Sequence, residues 1–258
     1  MDSQDFDEFY RSTFARVLAA AILACGHRGD AEDGVQDAFL IAFDRWEYVR
    51  GLEAPEAWVK KVAIRQAVHA ARKRRRQRDE FLKVAVPPQA TLEETAEARE
   101  VLAALAELPP SERVPLVACT LYDWTQKDAA KLVGVPRGTV GRRIHDARSV
   151  LKVRLGMVGK IGSARDSLVP APHIVAAQFA SRDDDPVAAL LGRAERWLRD
   201  SIEAEPGTAE RMLAELLADT ASGAPPTERH PSWWRAVPRA ATRVLAASRR
   251  RHAADSDG

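Results

Sequence analysis

The stretch Thr125–Leu155 reads TQKDAAKLVGVPRGTVGRRIHDARSVLKVRL and contains two helical patterns separated by a tight corner. The corner is Val133-Gly134-Val135-Pro136, where glycine and proline interrupt the apolar periodicity. Before the corner, the short apolar face consists of Ala129, Ala130, Leu132 and Val133. After it, apolar residues recur at helical spacing at Val140, Ile144, Ala147 and Leu151. This stretch therefore predicts a helix, a turn and a second helix.

The second of these helices has a basic side opposite its apolar stripe. Its polar positions are Arg137, Gly141, Arg142, His145 and Arg148, with Arg143 on the flank. One side could therefore pack on a protein core while the other meets a polyanion, and a helix of this kind fits the major groove of DNA. The alternative is an ordinary surface helix whose arginines are solvated.

The segment Gly138–Arg148, together with the preceding segment Leu105–Arg113, resembles the C-terminal DNA-binding region of bacterial sigma factors. The short extracytoplasmic-function (ECF) group is the most similar part of that family. The resemblance implies that this helix reads or grips the upstream, minus-thirty-five promoter element. The residues expected to do so are Arg137, Thr139, Arg142, Arg143 and Arg148.

Charge is segregated along the chain rather than balanced locally. The 258 residues are 46% hydrophobic and 29% charged with a formal net charge of +2, enough for two small domains or one large one. The first fifty residues are rich in acid, whereas Arg72–Arg78 has six basic residues in seven. No apolar run approaches the roughly 20 residues that span a bilayer, and no signal peptide is recognisable. Cys25 and Cys119 lack metal-ligand spacing, so we expect reduced, core-packed thiols in a cytoplasmic protein.

An acidic helix is predicted near the amino end, after a first helix over Phe6–Ala24. Asp30 is expected to cap it, and it runs to about Trp46. The segment Asp30–Phe39 resembles the family segment that docks on the coiled coil of the largest RNA polymerase subunits. The resemblance implies that Asp33, Gln36 and Asp37 contact polymerase; a solvated acidic face is the alternative. Gly34 replaces the bulky apolar residue usual there, at a cost of about 1 kcal/mol relative to alanine in a helix.

The segment Glu47–Pro55 is predicted to be a loop. In the family, this loop closes over a flipped base of the melted promoter strand. Tyr48 beside Arg50 suits that role, because stacking on an aromatic ring is worth about 1 to 3 kcal/mol per base. The alternative is that Tyr48 covers the rim of the core.

A third, basic helix is predicted to begin near Pro55, and Pro55–Arg65 resembles the family helix that reads the minus-ten element. Lys61, Arg65 and Arg72 form a basic stripe with His69 at its edge. By resemblance, bases would be read by Arg65, Gln66 or His69, and phosphates held by Arg72, Lys73, Arg74, Arg75 and Arg76. A nuclear-targeting signal is the formal alternative for the basic run, and nothing else supports it.

The rest of the chain is predicted to contain a linker, a second domain and an extension. Residues 79–92 read as a flexible linker, and a helix from about Leu92 to Leu108 is stopped by two prolines, with Ser111 capping the next. After Leu155 the resemblance ends. An amphipathic helix over Val187–Ile202, a shorter one around Met212–Leu217 and a third over Trp233–Ala247 are expected. They could stabilise the second domain, or they could clamp both domains and hold the factor inactive.

The fold expected is all-α. It comprises a region 2 bundle (1–78), a linker (79–92), a region 4 helix-turn-helix domain (93–155) and a helical extension (156–258). The predicted function is that of an ECF sigma factor, with core RNA polymerase and promoter DNA as partners and no membrane association. No catalytic residue, metal site or cofactor is expected, so the chain is not predicted to be an enzyme. Anti-sigma partners are common in the family, and a folded extension could substitute for one. The rivals are a stand-alone helix-turn-helix repressor or activator, which leaves the acidic helix without a role, and a protein-interaction adaptor.

Overall fold

The computed structural model describes residues 3–74, 89–156 and 185–221, which form ten helices. The N-terminal bundle consists of α1 (Ser3–Cys25), α2 (Arg28–Asp44), α3 (Trp46–Val49) and α4 (Pro55–Arg74). The second bundle consists of α5 (Leu92–Glu107), α6 (Pro110–Leu121), α7 (Gln126–Val133) and α8 (Arg137–Arg154). The extension helices are α9 (Pro186–Glu203) and α10 (Thr208–Ala221). The described residues contain no strand, in agreement with the all-α prediction.

Aromatic side chains from α1 and α2 fill one end of the N-terminal bundle. Phe6 makes edge-to-face contacts with Phe39 and Trp46, at ring-centroid distances of 6.5 and 5.2 Å. Tyr10 and Phe14 are stacked at 5.4 Å, and both are almost completely buried. Such pairs add about 0.5 to 1.5 kcal/mol each to the burial of the rings themselves. This cluster fixes how α1 lies across α2.

Gly34 lies where α2 and α4 approach each other most closely. A Cβ atom built on Gly34 would stand 2.5 Å from the backbone nitrogen and 2.8 Å from the Cα atom of Ala67. These are backbone atoms of a packed helix, so they cannot move aside as a flexible side chain could. The glycine that appeared unfavourable for helix α2 is therefore required by the packing of α2 on α4.

Several predicted helix boundaries are wrong. The cap of α2 is His27, whose Nδ1 accepts a hydrogen bond from the Asp30 backbone N–H at 3.1 Å, while Asp30 itself is buried in the first turn. The expected loop after α2 contains the short helix α3. The cap of α6 is Pro109 rather than Ser111, and it makes no side-chain hydrogen bond. Pro110, the first residue of α6, carries no N–H, so the helix start has one fewer backbone donor that a cap would have to satisfy.

The helix-turn-helix unit forms as the sequence predicts. The Thr125 hydroxyl caps α7 by accepting from the Asp128 N–H at 3.1 Å, and α7 ends at Val133. Gly134 follows in the left-handed conformation with φ of 71°, which lets the chain turn without steric cost. The four residues of α8 that were predicted to face the core are all buried: Val140, Ile144, Ala147 and Leu151.

The two bundles and the extension helices share one continuous apolar core within the described residues. Helix α1 packs against α2 and α4 of its own bundle, and also against α6 and α9. Helix α9 packs between α1 and α5, and α10 lies on α1 and α2. The expected linker and the helix expected over 233–247 fall largely or wholly outside the described residues. The two bundles are thus in direct contact, and α9 contacts both.

Candidate protein and nucleic-acid interfaces

The predicted minus-thirty-five surface lies on α8 and is largely open to solvent. Arg137 and Arg142 are exposed, and the Arg142 side chain, 84% exposed, makes a long ion pair of 3.7 Å with Asp146. Thr139 is half-buried at the start of the helix, and Arg143 donates to the Ser111 carbonyl at 3.4 Å. Of the five predicted residues, Thr139, Arg142 and Arg143 are spaced i, i+3 and i+4 and therefore share one face near the amino-terminal end of α8.

Arg148, the fifth predicted residue of this surface, is engaged elsewhere. Its guanidinium lies 2.8 Å from the Asp185 carboxylate, and it donates to the Thr120 hydroxyl at 3.3 Å. Asp185 is also the N-cap of α9, where it accepts from the Val187 N–H at 3.1 Å. In this conformation Arg148 joins α8 to the extension.

The predicted polymerase-binding residues lie on the outer side of α2. Asp33 is exposed, and Gln36 and Asp37 are half-buried. The Asp37 carboxylate accepts a hydrogen bond of 3.3 Å from the amide of Gln66 on α4. Gln66, which was expected to read bases, is itself only 5% exposed and lies beneath that acidic surface.

The predicted base-capture segment is the loop Glu47–Pro55, and its first residues belong to the short helix α3. Tyr48 is half-buried and packs against the apolar core, as the rim interpretation expects. Arg50 is exposed, and its guanidinium lies 2.7 Å from Glu47 and 3.6 Å from Asp5. Exposed ion pairs of this kind are weak, so Arg50 can exchange them for another anion.

Two residues of the basic stripe of α4, Lys61 and Arg65, lie against the second bundle. Lys61 donates to the Asp128 carboxylate at 2.8 Å, and its ammonium group lies 5.3 Å from the centre of the Trp124 ring. The neighbouring Lys60 ammonium lies 5.4 Å from the centre of the Tyr122 ring. Arg65 is half-buried beside the same contact. His69 is exposed, and the side chains of Arg72 and Lys73 lie outside the described residues, as do residues 75 and 76.

Electrostatics at this contact favour the ionised form of Asp128. Burial would raise the pKa of Asp128, but the hydrogen bonds of Lys61 and Thr125 and the charges of Lys61 and Lys131 together lower it. Burial lowers the pKa of Arg65, and the Asp128 carboxylate partly offsets that effect. Asp128 therefore provides the negative charge that the basic stripe of α4 meets in this conformation.

Sequence reasoning missed Trp124 and Asp128 as partners of the stripe. Asp128 lies in the first turn of α7, where a carboxylate is explained by the helix dipole alone. Its partner Lys61 is 67 residues away in the sequence, and no local pattern carries that information. The part of the chain that the structure describes contains no group of three or more His, Cys, Asp or Glu residues placed to hold a metal ion. None of its helices is long and apolar enough to cross a bilayer.

Comparison with known proteins found two matching family models and several curated relatives. The family model "Sigma-70 region 2" matches residues 9–77, and "Sigma-70, region 4" matches residues 98–151. The ECF RNA polymerase sigma factor SigM of Mycobacterium tuberculosis is 27% identical over 155 residues, covering 60% of this chain and 79% of its own length. The ECF RNA polymerase sigma factor SigE of Mycolicibacterium smegmatis is 30% identical over 156 residues, covering 57% of this chain and 60% of its own. No solved structure matches the chain significantly.

The two matched regions fall on the two bundles and leave the extension unmatched. The chain belongs to the sigma-70 family of transcription initiation factors, which is not a class of enzymes. Within that family it is an ECF-type sigma factor, and its role is to direct promoter-specific initiation by RNA polymerase.

Proposed function

We propose that this ECF-type sigma factor exists in a closed, inactive form in which the extension helices and the contact between the bundles withhold its predicted minus-ten surface, the basic stripe of α4. Opening would release α2 to dock on core polymerase through Asp33, Gln36 and Asp37. It would also free the α4 stripe for the minus-ten element while α8 takes the minus-thirty-five element. The protein would act in the cytoplasm, where its polymerase partner is found.

The observation that supports the proposal most directly is the pairing of Lys61 with Asp128 and Trp124. Lys61 belongs to the stripe expected to hold melted promoter DNA, and one ammonium group cannot serve both partners fully. An Asp–Lys pair that is partly shielded from water competes with phosphate on electrostatic terms.

The extension helices provide the second line of support. Arg28 of α2 makes a two-pronged ion pair with Glu205, including a hydrogen bond of 2.6 Å between Nη1 and Oε1. On the other side, Tyr122 donates to Glu195 at 3.2 Å and the Trp197 indole donates to Thr95 at 3.4 Å. The extension thus contacts both bundles with polar side chains as well as apolar ones. A separate anti-sigma factor that competes for these contacts is a further predicted partner.

Reconstituted transcription with core polymerase tests the proposal. The full chain is compared with a chain ending at residue 156 and with one ending at residue 221, which keeps both extension helices. We expect the shortest chain to initiate at a promoter more strongly than the other two. Unchanged or lower activity of the shortest chain would contradict autoinhibition.

Truncation exposes apolar surface on α1, so a point variant provides a second route. Leu198 is completely buried on α9, and Leu198→Asp should release that helix without shortening the chain. Pull-down with core polymerase excludes the rival function, because a stand-alone repressor would form no stoichiometric complex. Salt dependence of promoter binding then reports the number of phosphate contacts.

A further inference from the structure

Arg113 lies in the first turn of α6 and is almost completely buried, with 6% of its surface exposed. Its guanidinium donates to four backbone carbonyls. Nε donates to Ala24 at 3.2 Å and Nη2 donates to Cys25, while Nη1 donates to Leu105 at 3.5 Å and Leu108 at 3.4 Å. The first two carbonyls belong to the N-terminal bundle and the last two to the second bundle.

These carbonyls share a chemical property. Ala24 and Cys25 are the last residues of α1, while Leu105 lies in the last turn of α5 and Leu108 is its C-cap. Carbonyls at the end of a helix lack the N–H partner four residues on that interior carbonyls have, and they carry the negative end of the helix dipole. The Leu105 carbonyl also accepts from the Leu108 N–H at 3.2 Å. A guanidinium offers five N–H donors in a rigid fork, so one arginine can satisfy the ends of two helices at once. Arg113 therefore bridges helices from the two bundles with charge-assisted hydrogen bonds.

Gly26 leaves the space that the guanidinium occupies. It follows α1 with φ of 82°, and a Cβ atom there would stand 2.7 Å from both Cζ and Nη2 of Arg113. A residue with a side chain at this position would displace the guanidinium from the α1 carbonyls. The end of α1 is thus shaped to receive a flat cation from the neighbouring bundle.

Burial lowers the pKa of Arg113, which marks the cost of removing its charge from water. That cost is offset only while the carbonyls remain in place, so separating the bundles would break the two bonds to α1 together. We infer that Arg113 is the interdomain clamp of this factor: it holds the end of α1 against the second bundle and thereby sets the population of the closed form. This inference rests on the proposed function, since it assumes that the closed form is the inactive one.

Fluorescence energy transfer on the full chain tests the clamp separately from transcription. Dyes are attached at Arg11→Cys on α1 and Val153→Cys on α8, both exposed positions in different bundles. Burial raises the pKa of Cys25 and of Cys119 to about 12, so the native thiols should react slowly near neutral pH. Core polymerase affinity is measured on the same labelled chains.

The variants are Arg113→Met, which keeps the length of the side chain without its donors, and Arg113→Lys, which keeps only a point charge. Arg99→Met, at an exposed arginine of α5, is the matched control. We expect Arg113→Met to shift the chain toward low energy transfer and to tighten core polymerase binding by about tenfold, because apparent affinity follows the competent fraction. Arg113→Lys should show energy transfer and polymerase affinity between those of Arg113→Met and the unmodified chain. Arg99→Met should match the unmodified chain in both.

The outcomes separate the clamp from the proposed function. If neither variant changes energy transfer, Arg113 is not the clamp, while the truncated chain still decides whether the factor is autoinhibited. If the chain opens without tighter polymerase binding, the clamp stands and the closed form is not the inactive one. Circular dichroism checks the fold, and if Arg113→Met loses helix, the Arg113→Lys variant alone decides.

Discussion

Gly34 illustrates how a single residue can be unfavourable locally and necessary globally. We predict that Gly34→Ala destabilises the chain by about 1 to 3 kcal/mol, because the added methyl group meets the backbone of Ala67 at 2.5 Å. Urea unfolding followed by circular dichroism measures the change. The control is Gly138→Ala on α8, where a Cβ atom meets nothing within 4 Å and alanine should add up to about 1 kcal/mol. A higher unfolding midpoint for Gly34→Ala would contradict this account of the helix contact.

Glu56 should make the stability of the N-terminal bundle depend on pH. It accepts from Arg16 of α1 at 2.9 Å and lies 2.8 Å from the Lys60 ammonium. Burial would raise its pKa, but Lys60 and Arg16 together lower it below the ordinary value of 4.5. A carboxylate whose pKa is lowered by folding stabilises the native state above its unfolded pKa, and this contribution is lost as pH falls through the folded pKa.

The corresponding variant is Glu56→Gln. We expect it to lower the urea midpoint of unfolding at pH 7. Below pH 5, the midpoint of this variant should fall less steeply with decreasing pH than that of the unmodified chain. Glu8→Gln, at an exposed carboxylate of α1, is the control and should leave the profile unchanged. Parallel pH profiles for Glu56→Gln and the unmodified chain would show that the Arg16 and Lys60 contacts do not act in solution.

At the scale of the elements, two ion pairs attach the extension with different degrees of burial. The Arg28 and Glu205 side chains are 18% and 21% exposed, whereas Arg193 and Glu97 are 45% and 37% exposed. Both pairs are bidentate, so burial is the main difference between them. We predict a coupling of about 1.5 to 3 kcal/mol for the first pair and about 0 to 1 kcal/mol for the second.

Double-mutant cycles with alanine measure both couplings in the full chain. The readout is resistance of the segment after residue 185 to limited proteolysis, calibrated against urea unfolding. Equal couplings for the two pairs would mean that the extension is not seated on α2 through Glu205.

The elements also show which features a sequence can predict. The buried side of α8 follows from periodicity, because a helix repeats locally and each of Val140, Ile144, Ala147 and Leu151 obeys that repeat. The cap of α2 could not be predicted in the same way. Asp30 has a higher N-cap propensity than His27, but Asp30 lies buried in the first turn and His27 is the N-cap. Propensity is a weak preference, and tertiary packing overrode it here.

At the scale of the whole molecule, the sequence predicts which surfaces exist but not how they meet. The acidic side of α2 and the exposed arginines of α8 follow from residue types and spacing. The burial of Gln66 and the pairing of Lys61 with Asp128 depend on how the bundles pack, which involves residues far apart in the chain. A functional residue that also holds a long-range contact is therefore recognised by its chemistry alone, and its second role stays hidden until the fold is known.

Substitutions at Asp128 and Lys61 separate the two proposed roles of Lys61. Asp128→Asn removes the competing carboxylate, so we expect open-complex formation with core polymerase to rise about 3- to 10-fold. Hydrogen bonds to charged groups are worth about 1.5 to 3 kcal/mol, and the effect should be smaller here because this bond is partly solvated. Lys61→Met removes the contact with Asp128 and the proposed contact with DNA together, so open-complex formation should not rise in this variant. The double variant should behave like Lys61→Met. Glu107→Gln, whose partner Arg154 is exposed, controls for loss of one negative charge. If Lys61→Met activates as strongly as Asp128→Asn, Lys61 only holds the bundles together and the stripe does not need it for promoter DNA.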